Sequence, residues 1–319
     1  MDTPQTVAIF GGSGFVGTQI VQLLARAGYR IRIAVRRPDL AGHLRPLGAV
    51  GQIVLVQANV RNADSVMAAA RDADVVINLV GIGHERGKQR FRAVHAMGAK
   101  AVAEAARAAG AKALIHMSVL GAAAKSPSTF ARSRALGEEL VREAFPAAII
   151  LRPSIVFGNS DGFFNLLGAM ARLLPVLPLF SGRTRFQPVY VGDVAEAVAK
   201  AVAGAVKPGR IYELGGPEIL THRQLVERVL RETNRSNPIL PLPRFIGSLL
   251  AIPIGLLPRP FVTRDQIRLL GTDNVVSAEA NKDKRTLAAF GITPRPLEAI
   301  LPTYLWRFRP HGQFDRQTA

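Results

Sequence analysis

The sequence predicts an α/β fold in which a doubly wound parallel sheet is joined to a smaller C-terminal α/β domain. Three observations carry this. Short, almost wholly apolar runs recur with helical stretches between them, as buried parallel strands do; a glycine-rich turn links the first such run to the first helix; and after about residue 158 glycine and proline become frequent while the elements shorten.

The first strand, Val7-Ala8-Ile9-Phe10, runs into Gly11-Gly12-Ser13-Gly14-Phe15-Val16-Gly17, and an amphipathic helix follows as far as Gly28. Glycines at Gly11, Gly14 and Gly17 leave room for a tight turn, for a diphosphate to approach the backbone, and for the helix to pack on the strand. The free N–H groups of the helix N-terminus then point at that phosphate. A second strand at 30–35 ends in Arg36-Arg37. A carboxylate there would grip the adenosine ribose hydroxyls of NAD, whereas guanidiniums suit a 2′-phosphate, so the pair points to NADP(H) over NAD(H).

Further strands are expected at 53–56, 75–80, 113–118 and 148–152, with helices at 64–71 and 91–109, the second alanine-rich and closed by Gly110. Residues 1–158 thus form a Rossmann-type dinucleotide-binding core. Residues 173–188 read as a loop with short elements, and a helix at 192–206 returns to the sheet, so 186–207 rejoin the core while 159–185 and 208–319 form the smaller domain. Within the latter, 245–257 is the most apolar stretch, surrounded by Arg244, Arg259, Arg264 and Arg268. It is shorter than the roughly 20 residues of a spanning helix and contains Pro253, which leaves a core helix or an interfacial one; 244–268 is the candidate membrane- or partner-facing segment.

The 319 residues carry 41 Lys and Arg against 23 Asp and Glu, a formal charge of +18 that favours polyanionic surroundings. No zinc-ligand spacing, aromatic RNA-reading motif or long basic run accompanies the charge, so nucleic acid is not expected, and an anionic membrane surface or an acidic protein fits better. The absence of cysteine excludes disulfides, thiolate metal sites and a cysteine nucleophile, and no metal site is expected. With no secretory segment at its start, the chain is expected in the cytoplasm, peripheral on the cytoplasmic face of the inner membrane.

Taken together, these motifs resemble the short-chain dehydrogenase/reductase superfamily in its extended and atypical branches, over most of the chain. The resemblance implies that Gly11, Gly12, Ser13, Gly14, Phe15, Val16 and Gly17 bind the pyrophosphate. It also implies that Asn59 and Val60 lie by the adenine, where the family usually has an Asp, and that Leu79, Val80 and Gly81 pass the cofactor. Ser118, Arg134, Pro153 and Ile155 would line it as well. The family's chemistry uses a Tyr, a Lys four residues later and a Ser about a dozen residues before the Tyr. Here Ser118 is in place, but Phe130 occupies the Tyr position and Arg134 the Lys position. Phenylalanine has no proton to exchange as hydride moves. Arg134 offers fixed donors to a ribose or phosphate without replacing that acid, and Asn78 and His95 are the other groups open to recruitment, although a lone His on an alanine-rich helix reads first as a packed residue.

Within the superfamily, Phe186-Gln187-Pro188-Val189-Tyr190-Val191-Gly192-Asp193-Val194, Arg264-Asp265-Gln266-Ile267-Arg268 and Asp273-Asn274-Val275-Val276 are similar to the atypical branch that contains the nucleotide-binding accessory subunit of respiratory complex I. That similarity implies an NADP(H)-binding, non-catalytic accessory or assembly subunit of a respiratory NADH:quinone oxidoreductase, with complex I subunits as partners. The alternative is an atypical NAD(P)-dependent reductase or epimerase acting on a quinone-related or other apolar substrate.

Overall fold

The computed structural model describes residues 4–255 and 263–312. Among them, seven parallel strands form the main sheet: β1 (Thr6–Phe10), β2 (Arg30–Val35), β3 (Ile53–Gln57), β4 (Val75–Asn78), β5 (Ala113–Met117), β6 (Ile149–Pro153) and an edge strand, Ile211–Leu214. Their order is edge strand, β6, β5, β4, β1, β2, β3. The direction of winding therefore reverses at β1, which pairs with β2 on one side and β4 on the other, with Ile9 opposite both Ile33 and Ile77. In open α/β sheets, such a reversal leaves a crevice beyond the carboxyl ends of the strands.

Side chains alternate across these strands, and Ala8, Phe10, Val76 and Leu114 meet Ala99, Val102 and Ala103 of α3 (Gly98–Ala108) and Val141 of α4 (Thr129–Ala144) in one apolar cluster. A separate layer comes from α1 (Phe15–Arg26) and the helix Val191–Val202, which pack on each other and bury Ile20, Leu24, Val194 and Val198. Each fully buried Leu, Ile or Val of this kind contributes about 1.5–3 kcal/mol. The expected helix at 64–71 is α2 (Ala63–Ala70), whose first turn is capped by Asn62 Oδ1 accepting from Ser65 N–H at 3.0 Å.

The chain divides into two units: one runs to Pro153 and adds Val191–Leu214 and Ser277–Thr293, the other takes Ser154–Tyr190, Gly215–Val276 and the part from Pro294 on. Four segments differ from expectation. Residues 154–158 and 186–190, expected in the core, belong to the second unit, where Phe157 and Phe186 are buried in its apolar cluster. Ile211–Leu214, read from sequence as the start of the smaller domain, completes the large sheet beside β6, with Glu213 opposite Arg152. Ser277–Thr293 returns to the same unit, where Ser277 N–H donates to Glu213 Oε2 at 2.8 Å and Glu213 N–H to the Arg285 carbonyl at 2.9 Å. Both attachments are made by polar pairs far apart in sequence, which hydrophobic periodicity does not register.

The second unit is built around Phe157, Phe164, Phe186, Leu225, Leu301 and Tyr304. Its centre is tied by Asp161, which accepts from the Tyr304 hydroxyl at 2.6 Å and from the N–H of Phe164 at 2.7 Å. The stretch 173–188 is more regular than a loop: Leu177–Phe180 pairs in parallel with Ile239–Leu242. A helix, Arg244–Gly255, follows; Leu256, Leu257 and Arg259 of the apolar stretch lie outside the described residues.

The segment expected as one helix over 91–109 begins with a π-helical turn, Arg92–Met97, before α3. That wider turn brings the His95 carbonyl against α4, where a Cβ on Gly137 would stand 2.1 Å from the oxygen. The buried His95 ring bridges the loop after β4 to α4: Nε2 accepts from Ile82 N–H at 3.0 Å, so Nδ1 carries the proton and donates to Ser133 Oγ at 2.9 Å, which donates in turn to the Phe130 carbonyl at 2.7 Å. Nearby, Asn78 Nδ2 donates to His116 Nδ1 at 3.2 Å, leaving the proton on Nε2. Burial, with the Arg134 charge second, pushes His95 down to about 2 and His116 down to about 3, so both imidazoles are neutral in the folded protein.

Two outcomes follow from this packing. Gly137→Ala forces α4 from the π-turn and costs about 3 kcal/mol in urea unfolding, whereas Ala135→Gly on the same helix costs about 1 kcal/mol. Because the unfolded chain protonates both histidines near pH 6.5 and the folded one does not, their contribution is complete above pH 6.5. It declines as pH falls, by about 1.4 kcal/mol per pH unit for each ring, and the unfolding free energy of His116→Gln falls less steeply by that amount.

Candidate functional site

The glycine loop lies at the reversal of the sheet. Gly11 has φ +84°, and a Cβ there would stand 3.2 Å from Leu79 C and Val80 N, so the loop passes directly against the end of β4. Gly12 is closed in by β2, since its Cβ would lie 2.8 Å from Ile33 Cγ2, and Gly17 by the loop itself, 2.6 Å from the carbonyl oxygens of Gly11 and Gly12. Gly14 differs from these three: the nearest atom to its Cβ is the Gly11 oxygen at 3.4 Å, so the protein's own packing does not demand glycine there. A ligand approaching the backbone would.

Gly14 is also the N-cap of α1, which has neither a side-chain cap nor an acidic residue in its first turn. By contrast α2 and α4 are capped by Asn62 and Ser128. Ser13 and Gly14 are exposed and Phe15 and Val16 half-buried, so the first-turn donors of α1 face outward from a glycine cradle. These are the residues that fit a diphosphate.

Arg36 and Arg37 follow β2 and are both exposed, and Gly11 N–H reaches back to the Ala34 carbonyl at 3.3 Å, which sets the glycine loop beside the strand that ends in the two arginines. Asn59 closes a turn after β3: its Oδ1 accepts from Arg61 N–H at 3.1 Å, and Ser65 Oγ binds both its N–H, at 3.0 Å, and its carbonyl, at 3.1 Å. Val60 packs on Gly98. Leu79 and Val80 are half-buried beside Gly11, with Val80 N–H on Asn78 Oδ1 at 3.1 Å. Pro153 is buried and its carbonyl accepts from Leu120 N–H at 2.9 Å; Ile155 belongs to the second unit, where its carbonyl accepts from Val189 N–H at 2.9 Å.

At the positions of the family's Tyr and Lys, the side chains are bound to each other and to the backbone. The Arg134 guanidinium stands 5.4 Å from the centre of the Phe130 ring, and its Nη1 donates to the Met117 carbonyl at 3.2 Å and the Val80 carbonyl at 3.4 Å. It is so close to Gly81 that a Cβ there would fall 2.0 Å from Nη2. Phe130 meets Phe91 at 5.6 Å and His95 at 5.3 Å, both edge-on. Burial lowers Arg134 to about 10, against the opposing charge of Glu138, and it stays a cation at neutral pH.

Ser118 is not turned toward Phe130. Its hydroxyl donates to Glu138 Oε1, one turn beyond Arg134 on α4. Glu138 is 4% exposed and accepts a two-pronged pair from Arg152, at 2.9 Å from Nε and 2.6 Å from Nη2, while Arg152 Nη1 lies 3.6 Å from Glu213. Burial alone would lower Arg152, but its bonds to Glu138 and the two carboxylate charges hold it above its ordinary value. Sequence reasoning missed Glu138 and Glu213. The signals available were Glu138 falling four residues after Arg134 on one helix face, and a Glu in an otherwise apolar strand. An open cleft of about 550 Å³ along α4 is lined by Glu138, Glu139, Arg142 and Arg152, and by none of the glycine-loop residues.

Comparison with known proteins agrees with this geometry. Residues 7–215 match the NAD dependent epimerase/dehydratase family. The chain is 36% identical over 308 residues, 95% of its length and 80% of the relative's, to NADH dehydrogenase [ubiquinone] 1 alpha subcomplex subunit 9, mitochondrial, of Rattus norvegicus. It is 37% identical over 202 residues to ceramide reductase of Caulobacter vibrioides, covering 63% of this chain and 61% of that one. In fold it is similar to the NADPH-dependent quinone oxidoreductase QOR2 of Escherichia coli, with a TM-score of 0.70 at 20% identity over 94% of this chain and 98% of the other. With its glycine cradle at the switch point of a parallel sheet, the chain belongs to the NAD-dependent epimerase/dehydratase family, as an atypical short-chain dehydrogenase/reductase homologous to the complex I accessory subunit.

Proposed function

We propose that the protein holds NADP(H) as a structural ligand and acts, without turnover of its own, as an accessory or assembly subunit of a respiratory NADH:quinone oxidoreductase, peripheral on the cytoplasmic face of the inner membrane. One observation carries the reading: the glycine loop and α1 keep open donors, while Phe130 and Arg134 are packed on each other and on strand-end carbonyls. When bound, the nucleotide supplies hydride chemistry and, with it, negative charge at its phosphates. On this chain Ser13 to Gly17 hold the diphosphate, Arg36 and Arg37 the 2′-phosphate, and Leu79, Val80 and Gly81 pass the nicotinamide half. No group among Ser118, Phe130 and Arg134 offers an exchangeable proton: the Ser118 hydroxyl is bound to a carboxylate, Phe130 has none, and Arg134 stays protonated.

The similarity to a ceramide reductase supports a second reading, an atypical reductase or epimerase on a quinone-related or other apolar substrate. Isolation of the tagged protein from its own membranes in mild detergent, with identification of partners and released nucleotide, separates the two. Complex I subunits with stoichiometric NADP(H) are expected; a free protein that oxidises NADPH with a simple quinone or carbonyl refutes the accessory role.

Two measurements on the purified chain complement it. NADPH binds more tightly than NADH, and Arg36→Ala weakens NADPH by about tenfold or more while leaving NADH within about twofold, as expected for loss of a charge-assisted phosphate contact. Saturating NADPH, at a thousand times its dissociation constant, raises the unfolding free energy by about 4 kcal/mol in wild type, whereas turnover is expected, if anywhere, in Phe130→Tyr combined with Arg134→Lys.

A further inference from the structure

In the second unit the sequence is uneven in charge. It has no Asp or Glu between Asp161 and Asp193, nor between Glu232 and Asp265, although the chain holds 23 of them. The fold places these two acid-free stretches side by side, because Leu177–Phe180 of the first pairs in parallel with Ile239–Leu242 of the second, Leu177 opposite Ile239 and Phe180 opposite Leu242. Leu177 and Leu179 point inward onto Val226 and Leu230. On its other side Leu240 is exposed.

Residues 172–176, Arg172-Leu173-Leu174-Pro175-Val176, are all exposed where the first strand begins, and Leu240 is exposed on the second. Beyond the ribbon's other end, the helix Arg244–Gly255 seats Gly247 on the Phe180 ring, where a Cβ would stand 2.8 Å from it, and buries Ala251. Its opposite side shows Phe245, 72% exposed, and Leu249, 65% exposed, one turn apart. Leu173 is likewise 72% exposed. Arg172, Arg183 and Arg244 are exposed and flank these stretches in sequence; the Arg172 guanidinium stands 5.9 Å from the Phe308 ring, that of Arg244 lies beside Gly271, and none of the three forms an ion pair among the described residues.

This surface offers extended apolar side chains, prolines and unneutralised guanidiniums, the composition that lies at the boundary between acyl chains and anionic headgroups. No helix among the described residues is long and apolar enough to cross a membrane, so the contact is one of surface insertion. We infer that the ribbon of Leu177–Phe180 and Ile239–Leu242, with the exposed side of the helix Arg244–Gly255, docks on an anionic phospholipid bilayer, with Leu173, Leu240, Phe245 and Leu249 entering the interface and Arg172, Arg183 and Arg244 meeting headgroup phosphates. This extends the peripheral placement proposed above by naming the surface, and rests on that reading only for the location.

The test is flotation of the full chain with vesicles of phosphatidylcholine alone and of phosphatidylcholine with phosphatidylglycerol, at low and high salt. The wild type is expected to float with the anionic vesicles, to stay behind with the neutral ones and to be released by salt. Phe245→Glu with Leu249→Glu is expected to lower binding at least tenfold, and each of Arg172→Gln and Arg183→Gln to lower it roughly fivefold, with circular dichroism and melting unchanged. Absence of flotation with the anionic vesicles overturns the inference, as do variants that float like the wild type or an acidic protein captured through these residues by a chain that ignores lipid. Such vesicles contain no respiratory subunit, so failure here leaves the accessory role standing, and failure of the membrane isolation leaves this surface standing.

Discussion

One buried guanidinium organises the carboxyl end of the sheet. Arg134 reaches from α4 to carbonyls at the ends of β4 and β5, and the Val80 contact falls in the segment that borders the glycine loop. Its charge adds to burial in keeping His95 and His116 neutral, its ring partner Phe130 closes an aromatic cluster over His95, and its guanidinium fills the space a Cβ at position 81 would take. A lysine has one ammonium on a flexible stem and could not span both carbonyls while stacking on an aromatic face. The exchange of Lys for Arg and of Tyr for Phe is therefore coherent. Phe130 and Arg134 together act as a brace between α4 and the strand ends.

The same view accounts for what was legible in the sequence. Strand and helix positions in the first half followed from apolar runs and glycine punctuation, because those signals are local and report burial directly. The glycine cradle was legible for the same reason, since Gly11, Gly12 and Gly17 each answer to a contact within the motif or with a neighbouring strand. Long-range polar attachments were not. The placement of Ile211–Leu214 beside β6 and the carboxylate under Ser118 depend on pairs such as Arg152 with Glu138 and Glu213, and nothing in hydrophobic periodicity names a partner 14 or 61 residues away. Nor did a 3.6-residue repeat distinguish an α-helix over 91–109 from one whose first turn is π-helical.

Ser118 illustrates how a motif position can be kept while its chemistry changes. Its hydroxyl belongs to a chain of hydrogen bonds and ion pairs that runs from β5 through Glu138 and Arg152 to Glu213 and the Ser277 backbone. Two carboxylates and one guanidinium, largely out of water, hold together only because every charge is met by another or by a hydroxyl or amide. That network fastens the last strand and the returning segment to the sheet, so a residue matching the family's serine serves cohesion.

The π-helical turn before α3 carries an evolutionary consequence. A π-turn holds one residue more than the α-helical turn it interrupts, so it marks a place where chain length and helix phase are out of step. Losing a single residue between Phe91 and Gly98 would restore a regular helix and improve its backbone geometry, yet would rotate His95 by about a quarter turn away from Ile82 and Ser133. Gaining local regularity and keeping the bridge are therefore incompatible. The bridge through His95 fixes the length of this segment.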